Sequence, residues 1–230
     1  MLCQQLGEAM LELRNVTKLY RNGKGVRDIS FQAEKGTIVG IVGMNGCGKS
    51  TLLNCITLGG FKGSIRYSFE DFTATRPTPR VLENLGVVHA RYGFPAHFSA
   101  GIVNKILSGL YKNWSKDRFR EITDDLGLET DLKVKAYSTG MRSKLAIAIA
   151  MAHSPRLMVF DETTKGLDKE SVSKFKDMVR KRVGEGCLAL MTSHAEDEIE
   201  ELCDGIVELQ EGRQTFCGTK ADYFSRAGKN

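Results

Sequence analysis

The segment from Gly43 to Thr51 has the residue types and spacing of a phosphate-binding loop. It matches the pattern G-x-x-x-x-G-K-[ST] through Gly43, Gly48, Lys49 and Ser50. Glycines leave backbone N–H groups unshielded, so several of them can point at one anion. The lysine ammonium neutralises outer phosphates, and the serine hydroxyl can ligate Mg²⁺. The motif therefore predicts a site for nucleotide phosphates with a magnesium ion.

Two adjacent acidic residues, Asp161 and Glu162, follow an apolar run from Leu157 to Phe160. In open α/β sheets, ligands lie at the carboxyl ends of the strands. Asp161 is therefore placed to hold Mg²⁺ through water, and Glu162 to polarise a water molecule against the terminal phosphate. The pair predicts hydrolysis at the same site.

Alternating strands and helices must position these residues. The β-branched run from Thr37 to Val42 predicts a strand buried on both faces, and a helix from about Lys49 to Leu58 follows the glycine-rich loop. Other strands are predicted at 11–16, 29–33, 157–160, 187–192 and 205–209, and other helices at 116–126, 138–152, 170–183 and 195–203. The alternation predicts an α/β fold with a mainly parallel sheet and an added antiparallel layer formed by the early strands.

A composition shift predicts how the chain is organised. Between Ser99 and Val134 the apolar residues recur at helical spacing, as from Ile102 to Leu110. Residues of about 91–137 are therefore predicted to be a helical subdomain inserted into one domain that spans 1–230. Residues 1–90 and 138–230 then form the core and the β layer.

The composition excludes several classes of protein. The 230 residues are 41% hydrophobic and 27% charged, which is ordinary for a soluble protein, and the net charge of +5 is too weak to indicate nucleic acid. No apolar run approaches the ~20 residues that span a bilayer. The six cysteines form no CxxC pair. We therefore expect free thiols in a reducing, cytosolic location.

Further motifs stand in a fixed order around these two. The segment Tyr137-Ser138-Thr139-Gly140-Met141 resembles, in variant form, the LSGGQ signature of ABC transporter ATP-binding subunits. Lys165 to Asp168 resembles the D-loop of that family, and Thr192-Ser193-His194 resembles its switch-histidine loop. Tyr20 stands where the family has an adenine-stacking aromatic residue. The resemblance covers nearly the whole chain. Within the family, the sequence is most similar to the bacterial exporter branch.

The resemblance implies a P-loop NTPase core that uses ATP and Mg²⁺. It implies Lys49, Glu162 and His194 as catalytic residues, and Ser50 and Asp161 as metal ligands. The residues implied to contact ATP are Tyr20, Gly43, Asn45, Gly46, Cys47, Gly48, Lys49, Ser50, Thr51, Ser138 and Gly140. Of these, Ser138 and Gly140 are expected to face the terminal phosphate held by the opposite protomer, so that ATP joins two subunits head to tail.

The partners implied are a second ATPase subunit, identical or related, and a transmembrane permease subunit. Because this chain shows no spanning segment, we expect the permease to be a separate chain. The protein is then expected to be cytoplasmic, held peripherally on the inner face of the cell membrane. No nucleic-acid partner is expected.

The sequence departs from the family at one functional position. The glutamine expected after a strand near Gly86–Val88 is missing, and His89 stands there. His89 either replaces that glutamine or is a plain loop residue. Two alternatives to an exporter ATPase stay open: an ABC ATPase that does not act in transport, and a nonhydrolytic adaptor switched by nucleotide. The presence of Glu162 favours hydrolysis.

Overall fold

The computed structural model describes residues 9–89, 93–193 and 196–227. Its strands are β1 (Ala9–Leu19), β2 (Gly25–Glu34), β3 (Ile38–Val42), β4 (Lys62–Phe69), β5 (Phe72–Ala74), β6 (Leu85–Val88), β7 (Leu157–Asp161), β8 (Leu188–Thr192), β9 (Gly205–Gln210) and β10 (Arg213–Thr219). Its helices are α1 (Lys49–Leu58), α2 (Pro79–Leu82), α3 (Ala100–Leu107), α4 (Lys116–Asp125), α5 (Thr139–Ala152), α6 (Lys169–Gly184), α7 (Glu196–Leu202) and α8 (Lys220–Ala227), with a 3-10 turn at Val134–Ala136.

The ten strands form one sheet in the order β5-β4-β1-β2-β10-β9-β3-β8-β7-β6. The pairs β9–β3, β3–β8, β8–β7 and β7–β6 are parallel, whereas β10 pairs with β9 in the antiparallel direction. The row β2-β1-β4-β5 is antiparallel and meets β10 through the pair Arg213–Arg27. The α/β fold with a parallel core and an N-terminal antiparallel layer, predicted from the sequence, is thus confirmed.

The parallel strands are covered on both faces, as their continuous apolar sequences predict. In β3, Val39 and Ile41 pack into a core with α1 and the antiparallel layer. Ile38 and Val42, on the opposite face, pack into a second core with α5, α6 and α7. The two faces fix the strand register, because a slip of one residue would exchange them.

Local chemistry sets the helix ends. Ser99, Ser115, Ser138 and Asp168 each accept a hydrogen bond from a backbone N–H group in the first turn of the helix that follows, which satisfies a donor lacking a partner within the helix. Gly59, predicted to end α1, is its C-cap with a φ of 77°. Residues at the helix ends therefore determine where these helices begin and end.

Two helices differ from the sequence prediction. Residues 61–90 were expected to form strands and loops, but they include α2, which begins where Thr78 caps Pro79. Helix α8 follows the last strand and was not predicted. In the part of the chain that the structure describes, no helix is long and apolar enough to cross a membrane.

Candidate nucleotide site

The site lies at one edge of the parallel sheet. Strands β3, β8, β7 and β6 are neighbours and run in one direction, so the residues after their carboxyl ends meet at the same edge. These residues are the glycine-rich loop after β3, Ser193 after β8, Glu162 after β7 and His89 after β6. The fold thus brings together segments that are up to about 150 residues apart in sequence.

The loop of residues 43–49, here called the phosphate loop, is held open by close backbone packing. Gly43 has a φ of 138°, and a Cβ atom there would lie 2.2 Å from the Leu209 carbonyl oxygen. A Cβ on Gly48 would lie 2.7 Å from Val26. No other residue type fits these two positions without moving a neighbour, so both glycines are required by the packing as well as by the motif.

Lys49 is buried within the phosphate loop. Its Nζ donates hydrogen bonds to the carbonyl oxygens of Gly43 at 2.7 Å and Met44 at 3.2 Å. The ammonium is therefore held inside the curve of the loop, where an anion bound to the backbone N–H groups would meet it.

The other predicted contact residues of the loop differ in exposure. Asn45, Gly46 and Ser50 are exposed, and Thr51 is half-buried. The Cys47 side chain is buried in the core beside α1, and its carbonyl oxygen accepts a hydrogen bond from the Gly212 N–H group at 2.9 Å. Any contact of Cys47 with a ligand in this loop is therefore made by its backbone and not by its thiol.

Asp161 and Glu162 are linked to the adjacent strand by one hydroxyl. Thr192 Oγ1 donates to Asp161 Oδ1 at 2.8 Å and accepts from the Glu162 N–H group at 3.0 Å. Asp161 is buried, whereas the Glu162 side chain is 23% exposed with Lys165 Nζ 3.9 Å from its Oε2. The buried carboxylate is thus positioned firmly, and the second one reaches the surface of the site.

His89 lies beside Asp161. Val88, the last residue of β6, pairs with Phe160 of β7, so His89 directly follows β6 where Asp161 ends β7. Burial lowers the pKa of His89, and the carboxylate of Asp161 opposes that shift. The residue that stands at the family's glutamine position is therefore in the electrostatic range of the predicted metal ligand.

The signature-like segment packs on the D-loop-like segment of its own chain. A Cβ on Gly140 would lie 2.4 Å from the Gly166 carbonyl oxygen. Ser138 caps α5 by accepting from the Met141 N–H group at 3.2 Å. Nearby, hydrogen bonds from Ser171 and then the contact with Lys144 hold the pKa of Asp168 well below its usual range.

Among the predicted contact residues, Tyr20 lies at the surface near the phosphate loop. Tyr20 is 46% exposed in the turn between β1 and β2, and Gly25, at the end of that turn, packs against Gly48 of the phosphate loop. His194 lies outside the described residues, as do Ala90 and Arg91.

Sequence reasoning did not find the polar residues that join the site's loops. The sequence indicates Thr192 only as part of the Thr192-Ser193-His194 motif. Its place at the end of a buried strand is a signal that it lies near the residues that end β7. Glu198 accepts hydrogen bonds from Ser193 Oγ at 2.6 Å and from Thr164 Oγ1 at 3.1 Å. No local pattern indicates this contact, because its members lie on three segments.

The chain matches known proteins along most of its length. Residues 26–165 match the ABC transporter family model. The linearmycin resistance ATP-binding protein LnrL of Bacillus subtilis is 31% identical over 225 residues, 95% of this chain and 72% of that protein. The daunorubicin/doxorubicin resistance ATP-binding protein DrrA of Streptomyces peucetius is 31% identical over 96% of this chain and 68% of its own length. A methionine import ATP-binding protein of Oceanobacillus iheyensis is 29% identical over 94% and 66%.

Solved structures share the fold. The ATP-binding subunit of an ABC transporter superposes with a TM-score of 0.83 at 22% identity, over 95% of this chain and 93% of that one. An ATP-binding cassette solved as a dimer, in a post-hydrolysis state with ADP and phosphate, superposes with a TM-score of 0.79 at 23% identity over 91% and 98%. The family model covers more than half of the chain, and a relative at 31% identity spans 95% of it. The chain accordingly belongs to the ABC transporter family as an ATP-binding subunit, and it is an ATPase.

Proposed function

We propose that this ATPase powers export through a separate membrane subunit. Two relatives at 31% identity are named resistance ATP-binding proteins, whereas the import relative is 29% identical. The variant signature around Ser138 also resembles the exporter branch. We further propose that the chain is one domain with a helical subdomain at about 91–137. In this proposal it lies in the cytoplasm, on the inner face of the membrane, where it contacts its permease.

One observation carries the hydrolytic part of the proposal. Glu162 follows Asp161 at the sheet edge that also presents the phosphate loop, with Thr192 of the intervening strand holding both acidic residues. In this arrangement Lys49 and the loop N–H groups bind the phosphates, and Glu162 orients a water molecule and accepts its proton. His194 is proposed to contact the terminal phosphate, and Tyr20 to stack on the adenine.

The side chains present fit Mg²⁺. Ser50 offers an exposed hydroxyl and Asp161 a buried carboxylate, and Mg²⁺ prefers few protein oxygens together with substrate phosphates and water. We propose that these two residues hold the ion. When bound, it neutralises charge on the phosphates.

A second copy, identical or related, is proposed to complete the site. Ser138 and Thr139 are exposed at the start of a 14-residue helix, where unpaired N–H groups and the helix dipole favour an anion. Within its own chain this segment packs on Gly166. Its outward face is therefore proposed to meet the terminal phosphate of ATP on the opposite protomer, head to tail.

The apolar face of α3 is proposed as part of the contact with the permease. Ile102 and Ile106 lie one turn apart on α3 and are 44% and 41% exposed, and Leu110, in the turn that follows the helix, is 69% exposed. An exposed apolar stripe of this kind is typical of a surface that binds another protein.

Hydrolysis is tested with the purified chain. Glu162→Gln is expected to retain ATP binding and to lose turnover by roughly 100-fold or more, because the amide cannot accept the proton. Glu121→Gln, on an exposed face of α4, is the matched control and is expected to turn over like the wild type. Equal turnover in the wild type and Glu162→Gln would reject the role of Glu162.

Export is tested with a candidate permease, a membrane protein whose gene is found next to the gene of this chain. We expect the two to co-purify from detergent-solubilised membranes, and the membrane protein to raise ATP turnover. Inside-out vesicles that contain the complex are expected to take up daunorubicin or another amphipathic drug when ATP is added. ATP-driven release of a preloaded solute from such vesicles would indicate import instead.

A further inference from the structure

Glu198 is a buried acidic residue in α7, the helix that follows the loop after β8. The residue is 8% exposed. Its Oε2 accepts one hydrogen bond from Ser193 Oγ at 2.6 Å and another from Thr164 Oγ1 at 3.1 Å. Burial of a carboxylate is unfavourable unless hydrogen bonds replace its water, so these two hydroxyl donors are what allow Glu198 to be buried.

The two donors belong to the two loops that carry the proposed chemistry. Thr164 lies two residues after Glu162, in the loop that follows β7. Ser193 is the first residue after β8 and directly precedes His194 in the sequence. Glu198 therefore ties the loop of the proposed general base to Ser193, the first residue after β8.

A second tie joins the same loops nearer the sheet. Thr192 Oγ1 contacts both Asp161 and the N–H group of Glu162. Glu162 itself has a φ of 50°, a left-handed conformation that a non-glycine residue keeps only when its surroundings hold it there. Thr192 holds the start of this turn and Glu198, through Thr164, holds its end.

We propose that Glu198 is a positioning residue for ATP hydrolysis, which fixes the Glu162 turn relative to the loop after β8 without touching the nucleotide. The inference rests on the proposed role of Glu162. A misplacement of about 1 Å at a reacting group can cost roughly 100-fold in rate. ATP binding depends mainly on the phosphate loop after β3, so loss of this tie is expected to lower turnover far more than affinity.

The first experiment separates kcat from binding. Glu198→Ala is expected to lower kcat by roughly 10- to 100-fold, while the Kd for a fluorescent ATP analogue stays within about twofold. Glu198→Gln keeps an acceptor oxygen of the same shape and is expected to recover most of the turnover. Glu200→Ala is the matched control, because that glutamate lies on the same helix and is exposed.

The second experiment tests the contacts themselves. Thr164→Val removes one donor and is expected to lower kcat in the same direction as Glu198→Ala. Because Glu198→Ala already removes the bond that Thr164→Val removes, the double variant is expected to be little worse than Glu198→Ala alone. Additive losses in kcat would mean that Thr164 and Glu198 act separately, which would overturn the proposal.

The outcomes are distinguishable. Turnover of Glu198→Ala equal to that of Glu200→Ala, with Glu162→Gln inactive, overturns the role of Glu198 and leaves the proposed function standing. If Glu198→Ala loses kcat, ATP affinity and melting temperature together, and Glu198→Gln does not recover them, Glu198 has a structural role only. This result also overturns the proposed positioning role. Turnover in Glu162→Gln at the wild-type level rejects the proposed function itself. If Glu198→Ala fails to fold, Thr164→Val takes its place, with Glu198→Gln as the variant that keeps the acceptor. A lower kcat at unchanged Kd in Thr164→Val supports the proposal, and an unchanged kcat overturns it.

Discussion

Thr192 donates a 2.8 Å hydrogen bond from its hydroxyl to the carboxylate of Asp161. The two residues are register partners at the ends of adjacent parallel strands, and both are buried. The same hydroxyl accepts a hydrogen bond from the N–H group of Glu162. One side chain on β8 therefore sets the position of Asp161 at the end of β7 and of Glu162 directly after it.

Loss of this hydroxyl is expected to weaken both the fold and the proposed metal site. Thr192→Val keeps the shape but leaves a buried carboxylate without its donor, which is expected to lower the free energy of unfolding by about 1–3 kcal/mol. Thr192→Ser retains the hydroxyl and is the control. Urea unfolding and binding of ATP with Mg²⁺ check both effects. Equal stability of Thr192→Val and the wild type would show that the bond contributes nothing.

The contact of Gly140 with Gly166 makes a second prediction. A Cβ on Gly140 would meet a backbone oxygen at 2.4 Å, and backbone cannot turn aside as a side chain can. Gly140→Ala is expected to cost about 1–3 kcal/mol of stability and to lower ATP turnover, because it forces the start of α5 away from the loop that follows Glu162.

Gly184→Ala is the matched control for this change. Gly184 ends α6, and a Cβ there meets no atom within 4 Å. The substitution is expected to be neutral or to stabilise by up to about 1 kcal/mol. Thermal unfolding of both variants measures the difference. If Gly140→Ala is as stable and active as Gly184→Ala, the close packing has no consequence.

The place of His89 beside Asp161 gives a third prediction. If His89 takes over the role of the missing glutamine, His89→Ala is expected to raise the Mg²⁺ concentration that half-saturates nucleotide binding by roughly tenfold. His89→Gln, which supplies the amide of the family, is expected to bind like the wild type. Titration of Mg²⁺ against a fluorescent ATP analogue measures this shift. An unchanged midpoint in His89→Ala would make His89 a plain loop residue.

Local sequence chemistry was sufficient for the elements that carry the phosphate loop. The β-branched run before Gly43 gives a strand, and Gly59 ends the helix that begins at Lys49. The antiparallel layer was harder to predict from the sequence. The strand β1 extends well beyond the predicted 11–16, and the prediction was too short because register shifts at Leu13–Val16 interrupt the two-residue alternation. A bulge hides a strand from any test that depends on strict alternation.

The ties between loops could not be predicted for a different reason. Glu198, Thr164 and Ser193 are each unremarkable in sequence, since acidic and hydroxyl residues are common in helices and loops. Their contact depends on the lateral order of β7 and β8, which the sequence does not state. Helix α8 was missed because its residue Tyr223 gains its packing from β10, where Phe216 contacts it.

A buried histidine joins β6 to the segment between α3 and α4. The ring nitrogens of His153 lie 3.3 Å from the Ile149 carbonyl oxygen and 3.0 Å from that of Leu85. Its ring stacks parallel to Trp114, with centroids 6.4 Å apart, and lies 4.4 Å from Tyr111. Burial lowers the pKa of His153 below the ordinary value of 6.5, although the two carbonyl contacts oppose this.

This shift predicts a loss of stability in mild acid. Because the folded pKa is lowered, the unfolded chain takes up a proton near pH 6.5 while the folded chain does not, so the free energy of unfolding falls as the pH drops below that value. His153→Gln keeps a donor for the Leu85 carbonyl but cannot titrate, and it is expected to flatten the dependence between pH 7.5 and about 5. Burial also lowers the pKa of His89, so the measurement is made in a His89→Gln background. Urea unfolding across this range decides the point: if the slope is as steep in His153→Gln as in its parent, the acid sensitivity originates at another group.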